Sequence, residues 1–325
     1  MTIKSIKLGE LVSLAGDNTS VATPTYPTAL TPTKDTIDGG KINVAFTPAT
    51  IGQTATSYIA TSNPGAITGT ANSSPIPVTG LTGGTSYTFT VAAINANGTG
   101  EASPASSAQT APTLTSTTFN TNGNWTAPAG VNSIELIMVA GGGGGGNATG
   151  SMGGGGGGAG GFLRYTGQSV TPSTTYAITV GTGGGNSTPG NDTNAFNYTA
   201  FGGGRGGNGS NTVNVATGSN NGGNGGSGGG GGSSGGAQTV GGNGVSGQGN
   251  AGSPGAGNRN GGAGGGLSVT WYGVTYAVGG NGGYPVNFGP AGNQGGGNGT
   301  GGGGGGGATN TPSGANGSVV IRYVS

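Results

Sequence analysis

Few side chains in this sequence are equipped for bond-making chemistry. There is no His and no Cys. That removes the usual general base near neutral pH, thiol chemistry, and the commonest ligands for zinc. The acids are seven in number. Asp35 and Asp38 flank a turn and are expected to be solvated, and beyond Glu101 only Glu135 and Asp192 follow. A glycoside hydrolase needs two facing carboxylates, and this spacing offers no such pair. No Gly-Lys-Ser/Thr occurs, so there is no phosphate loop, and the many chance Gly-x-Gly-x-x-Gly matches mean nothing without a preceding strand and a following helix. No catalytic residue, metal site or cofactor is expected.

What remains is recognition. Exposed aromatics set among Asn and Ser suit contact with sugars or a protein face. Four inserts, expected in turns and loops between the glycine runs, are the candidates: Asn147–Met152, and, carrying aromatics, Asn191–Phe201, Trp271–Tyr272 and Tyr284–Phe288. The candidate contact residues are Asn147, Met152, Tyr198, Phe201, Tyr284 and Phe288. Tyr176, Trp271 and Tyr276 are expected to pack into a supporting sheet instead.

These inserts interrupt a body that is mostly glycine, from Val139 to Gly317. Glycine accounts for 86 of 325 residues and proline for 16, with charged residues at 5%. Such a composition usually marks low complexity. A segment this poor in side chains is not expected to build an ordinary hydrophobic core. Either it is disordered, a flexible tether, or it folds by packing backbone on backbone, for instance as left-handed threefold polyglycine II-like helices with a rise of about 3.1 Å per residue. These make no internal hydrogen bonds, so every N–H must find a neighbouring carbonyl. Ordering costs about 1–2 kcal/mol per residue against a net gain of about 0.5–1.5 kcal/mol per hydrogen bond. Such a bundle needs flanking strands or a partner to hold it. The sequence supplies strands on both sides. Val131–Val139 places Ile134, Leu136 and Met138 on one face, and Ser318–Val324 alternates Val319, Ile321 and Tyr323 as if pairing with it.

The fold class is therefore all-β, in three parts. Residues 1–22 form an N-terminal arm, loosely ordered or docking on a partner. Residues 23–112 read as a small β-sandwich, with short runs at about ten-residue spacing: Ile42–Phe46, Ser57–Ala60, Ile76–Val78 and a long alternation through Tyr87, Phe89, Val91 and Ala93. Leu81, six residues before Tyr87, suits a corner in which the phenol bonds back to the preceding loop. Residues 113–325 form the glycine-rich part, entered through Thr118–Gly130, which reads as a hairpin and turn. Further strands are expected at Gly161–Tyr165, Thr175–Val180, Leu267–Tyr272 and Val274–Val278.

The pattern Leu81, Tyr87, Phe89, Val91, Ala93, Asn95, Gly98, Gly100 and Ser103 resembles the later strands of a fibronectin type III domain. Phe46 stands where that family usually carries Trp. The order Phe119, Trp125-Thr-Ala-Pro-Ala-Gly130, Ile134–Gly143, Gly160-Gly-Phe162 and a terminal Gly-Ser-Val-Val-Ile-Arg-Tyr resembles the glycine-rich domains of bacteriophage tail-fibre adhesins. That resemblance implies a non-enzymatic virion protein. Its polyglycine runs would frame loops that contact a bacterial surface glycan or outer-membrane protein. The N-terminal side would dock on other virion proteins, and a homo-oligomer is implied. A net charge of +1 gives no case for nucleic acid. The start shows no signal peptide, which fits assembly in a host cytoplasm and exposure on the particle. A capsid-decorating or fibrous structural protein is the alternative; a bacterial surface adhesin is disfavoured by the missing signal.

Overall fold

A computed structural model describes residues 23–50, 53–210, 220–235, 238–256, 260–271, 274–279, 301–302 and 313–325. The N-terminal arm lies outside them. Among the described residues the secondary structure is all strand. The chain divides into two compact units, Met1–Leu114 and Thr115–Ser325.

The first unit is a sandwich of β1 (Thr28–Lys34), β2 (Ile42–Thr47), β3 (Ser57–Asn63), β4 (Thr68–Ala71), β5 (Ile76–Val78), β6 (Ser86–Asn95), β7 (Gly98–Ala102) and β8 (Gln109–Thr110). One sheet runs β1-β2-β5, the other β4-β3-β6-β7 with β8 also on β6. The period-2 alternation seen in sequence becomes burial. Ile42, Val44 and Phe46 meet Tyr87, Phe89, Val91 and Ala93 in one core, and Phe46 occupies the Trp position with 6% exposure. The expected corner forms, with the Thr82 N–H donating to the Tyr87 phenol at 3.0 Å. Between β7 and β8, Ser103 and Ser106 continue the pairing with β6: their N–H groups donate to the Val91 and Phe89 carbonyls at 2.9 and 2.8 Å, and their hydroxyls accept from the Val91 and Phe89 N–H groups at 2.9 and 3.0 Å.

Asp35 is not the solvated carboxylate expected. Its side chain is 14% exposed and meets the Lys41 ammonium at 3.1 Å. It accepts from the Ile37 and Asp38 N–H groups at 3.0 and 2.9 Å and from the Asn43 amide at 3.1 Å. Asp38, at 53%, is exposed. Burial pushes the Asp35 carboxyl up, but these donors outweigh it and lower its pKa to about 2. A depressed folded-state pKa stabilises fully above the unfolded value, about 3.9 for Asp, and the stabilisation is lost as pH falls through the folded value. Thermal unfolding of the first unit should therefore show a loss of stability between about pH 4 and pH 2. The Asp35→Asn variant should lack that part of the slope and lose about 1.5–3 kcal/mol at pH 7. An unchanged slope in the variant would remove Asp35 from this role.

The second unit has a conventional core at its base, contrary to the composition-based expectation. Its strands are β9 (Leu114–Phe119), β10 (Gly123–Thr126), β11 (Ser133–Val139), β12 (Phe162–Ser169), β13 (Thr175–Thr179), β14 (Thr193–Ala195), β15 (Tyr198–Ala200), β16 (Val269–Trp271), β17 (Val274–Tyr276) and β18 (Ser318–Val324). They form sheets β12-β11-β18-β9 and β10-β13-β14-β15 and the pair β16-β17. As anticipated, β18 pairs with β11, Val319 opposite Met138 and Ile321 opposite Leu136. The segment Thr118–Gly130 is not a hairpin. β9 lies on the edge of one sheet beside β18 and β10 on the edge of the other beside β13, so the turn crosses between sheets. The reason is Trp125, which is buried against Tyr176, Phe196 and Tyr323 and takes β10 to the second sheet.

Both faces of β11 are covered. Ile134, Leu136 and Met138 pack with Trp125, Ile178, Val319 and Ile321. Ile137 and Val139 pack on the other side with Phe162, Tyr276 and Val320. Each large aliphatic side chain buried this way contributes about 1.5–3 kcal/mol, more than a typical net hydrogen bond. The base therefore anchors the glycine runs.

Above that base the glycine segments bond outside any ladder, and their acceptors repeat every three residues. Gly141 and Gly144 donate to Asn191 and Thr188, Gly143 and Gly146 donate to Gly158 and Gly155, and Gly142 donates to Ala315. Gly155, Gly158 and Gly161 donate to Gly207, Gly204 and Phe201, while Gly156 and Ala159 turn to Gly262 and Gly265. Gly204, Gly207 and Ser210 donate to Ser227, Gly230 and Ser233. Each run is thus bonded to several neighbouring runs around its axis. A Cβ on most of these glycines would overlap a neighbouring carbonyl, which is why only glycine serves there.

Candidate binding surface

The two ends of the runs present different chemistry. Gly203, Gly206 and Gly209 donate to Gly141, Gly144 and Asn147. Phe201 and Asn147 therefore lie towards opposite ends of a parallel pair, roughly 25 Å apart at an extended rise of about 3.1 Å per residue. Asn147 and Phe201 therefore do not share one site.

At the far end the insert Asn147–Met152 is the turn expected. Thr149 and Met152 exchange backbone hydrogen bonds at 3.0 and 3.1 Å, with Gly150 at φ 56°. Asn147 is exposed. Met152 is half-buried, its sulfur accepting from the Ser233 hydroxyl at 3.2 Å. Asn208, a residue the sequence reading passed over, ties the turns together. Its Oδ1 accepts from the Asn147 N–H at 2.9 Å and the Ser187 hydroxyl at 2.5 Å, and its carbonyl accepts from Asn220 Nδ2 at 3.0 Å. One Asn among many identical neighbours gave no signal of this role.

At the base end the insert Asn191–Phe201 is not a loop. It is the hairpin β14–β15. Tyr198, placed in a loop by sequence, sits in β15 and stacks on Tyr165 with centroids 4.0 Å apart. Its hydroxyl donates to Gln168 Oε1 at 2.9 Å. Phe201 is exposed, at 41%, and its N–H donates to Gln248 Oε1 at 2.9 Å. Gln248 also donates from Nε2 to the Thr199 carbonyl at 3.1 Å, so a buried side chain closes this end. Tyr276 is buried, Tyr176 packs on the core, and both support sheets as anticipated. Tyr284 and Phe288 lie outside the described residues, as does the side chain of Trp271.

The Thr171 N–H donates to the Tyr176 phenol at 2.8 Å, with the same five-residue offset as the Thr82–Tyr87 bond. The signal was present: Val170-Thr-Pro-Ser-Thr-Thr-Tyr176 parallels Leu81-Thr-Gly-Gly-Thr-Ser-Tyr87. Among the described residues, no group of three or more His, Cys, Asp or Glu is placed to hold a metal. No described helix is long and apolar enough to cross a membrane.

A fibronectin type III domain model matches residues 26–109, and a model described as a glycine-rich domain matches residues 115–324. No curated protein matches the chain. The second match spans more than half of the chain and takes in the sheet-anchored glycine runs, so the chain belongs to the glycine-rich domain family and carries a fibronectin type III domain ahead of it.

Proposed function

We propose that this is a non-enzymatic virion protein, a bacteriophage tail-fibre or adhesin subunit, whose glycine-rich unit attaches to a bacterial surface. The observation that carries the reading is the division of labour in the second unit. Runs bonded at three-residue intervals end in exposed side chains, Asn147 at the far end and Phe201 at the base. The three-residue repeat supports polyglycine II-like helices as the conformation of the runs. Such a frame holds short contact segments with little loss of entropy on binding. The resemblance to phage fibre adhesins supplies the setting: the N-terminal side docks on other virion proteins, and the partner is a surface glycan or outer-membrane protein.

Alanine replacement at Asn147, Phe201, Tyr284 and Phe288 tests this. Adsorption of the full chain to host cells should fall about tenfold or more, the effect of removing one interface hot spot, with thermal unfolding unchanged. Undiminished adsorption would end the attachment reading and leave a structural role on the particle.

A further inference from the structure

A groove of about 580 Å³ opens along β13 and the β14–β15 hairpin. Its lining holds no acidic or basic side chain. It combines three carboxamides, Gln168, Asn194 and Asn197, with three rings, Tyr176, Phe196 and Tyr198.

The polar groups are oriented before any ligand arrives. Asn194 Oδ1 accepts from the Thr199 hydroxyl at 2.7 Å, which leaves its NH₂ to donate. Tyr198 spends its proton on Gln168, which leaves the phenol oxygen to accept. The two central residues of the hairpin are both left-handed, Phe196 at φ 51° and Asn197 at φ 64°. Asn tolerates that region; a bulky ring there is an outlier. Packing holds it: the Phe196 ring lies 4.6 Å from Tyr176 and 5.9 Å from Trp125, while Asn197 is exposed. Outliers that the surroundings enforce cluster at functional sites.

We propose that this groove binds a neutral saccharide. Each sugar hydroxyl is both donor and acceptor, matching fixed amide N–H groups set beside a fixed phenol oxygen, and apolar sugar faces suit the ring edges. A phosphate or carboxylate ligand would find no cation here. The inference rests on the attachment reading for its biological purpose, but the groove is tested separately. The far-end residue Asn147 lies outside it.

Saturation-transfer NMR on the full chain with maltotriose, N,N′,N″-triacetylchitotriose and cellotriose should give transfer to at least one of them. An excess of the anionic 3′-sialyllactose should not displace it. Asn197→Gly, which keeps the left-handed backbone, should weaken that saccharide about tenfold. Tyr198→Phe should do so to a similar degree, and Asn147→Ala should not. Transfer that survives in both groove variants would place the sugar elsewhere and overturn the proposal. So would a chain that adsorbs to cells yet shows no transfer from any of the three. Transfer lost in the groove variants of a chain that does not adsorb would uphold the groove and end the attachment reading.

Discussion

Replacing Gly143 by alanine should destabilise the glycine-rich unit by about 3 kcal/mol or more, the upper range for forcing atoms into a filled interior. A Cβ there would lie 2.6 Å from the Gly204 carbonyl carbon and 2.8 Å from the Gly203 oxygen. Neither neighbour can step aside cheaply. Gly203 donates to Gly141 and Gly204 to Ser227, both at 2.8 Å, so moving one run breaks the bonds of the next. Gly229→Ala should behave alike, its Cβ meeting the Arg205 carbonyl carbon at 2.5 Å. Gly185→Ala is the contrast. Its Cβ would meet only the Thr188 hydroxyl, at 3.8 Å, and the substitution should be neutral or stabilising by up to about 1 kcal/mol through the unfolded state. For a unit this size the first two changes correspond to a fall in Tm of about 6–12 °C, read as the unfolding transition of the second unit in the full chain. Equal effects at Gly143 and Gly185 would show that crowding between runs is not what selects glycine.

Glu135→Gln should cost about 3–5 kcal/mol, the range for removing one member of a buried ion pair. Glu135 sits on β11, an interior strand of its sheet, with 6% exposure. One carboxylate oxygen accepts from Arg164 Nε and Nη2 at 2.8 and 2.7 Å, and the other meets Arg322 Nη1 at 3.4 Å. The carboxylate therefore clasps β12 and β18 to β11. Arg164 keeps a half-exposed side chain, at 46%, and can turn to water; Arg322, at 9%, cannot. The loss should thus come mainly from Arg322. The double variant Glu135→Met, Arg322→Met should recover much of the stability, since apolar replacement of a buried pair is often near neutral. Additive losses in that double-mutant cycle would contradict the coupling.

The sequence was most legible where side chains alternate. Ile42–Phe46 and Tyr87–Ala93 declared their faces, and the pairing of Val319 and Ile321 with the β11 strand followed from the same period. It was least legible in the runs themselves. Gly141–Gly146 carries no side-chain pattern to name its neighbours, so the choice of Gly158, Thr188 and Ala315 as acceptors is written only in the turns that aim each run. The hydrophobic base was hidden by averaging. A few strands, dense in Ile, Val and Met, were diluted by glycine until composition denied them a core. The continuous apolar stretch Ile134–Val139, interrupted only by Glu135, was the local sign of a strand covered on both faces. The candidate contacts were legible as residue types but not as places, because Tyr198 belongs to a strand that only the Phe196–Asn197 turn defines. A bulky ring in the left-handed region is not what sequence rules select for that turn.

Main-chain hydrogen bonds between glycine runs, standing on a side-chain core, give the second unit its order. Hydrogen–deuterium exchange of the full native chain, resolved over Gly141–Gly146, Gly155–Gly161, Gly202–Gly209 and Gly226–Gly232, addresses it most directly. Their amides should exchange slowly, with protection approaching that of β11 and β18. Exchange at the rate of unstructured peptide across these runs, while β11 and β18 stay protected, would contradict it.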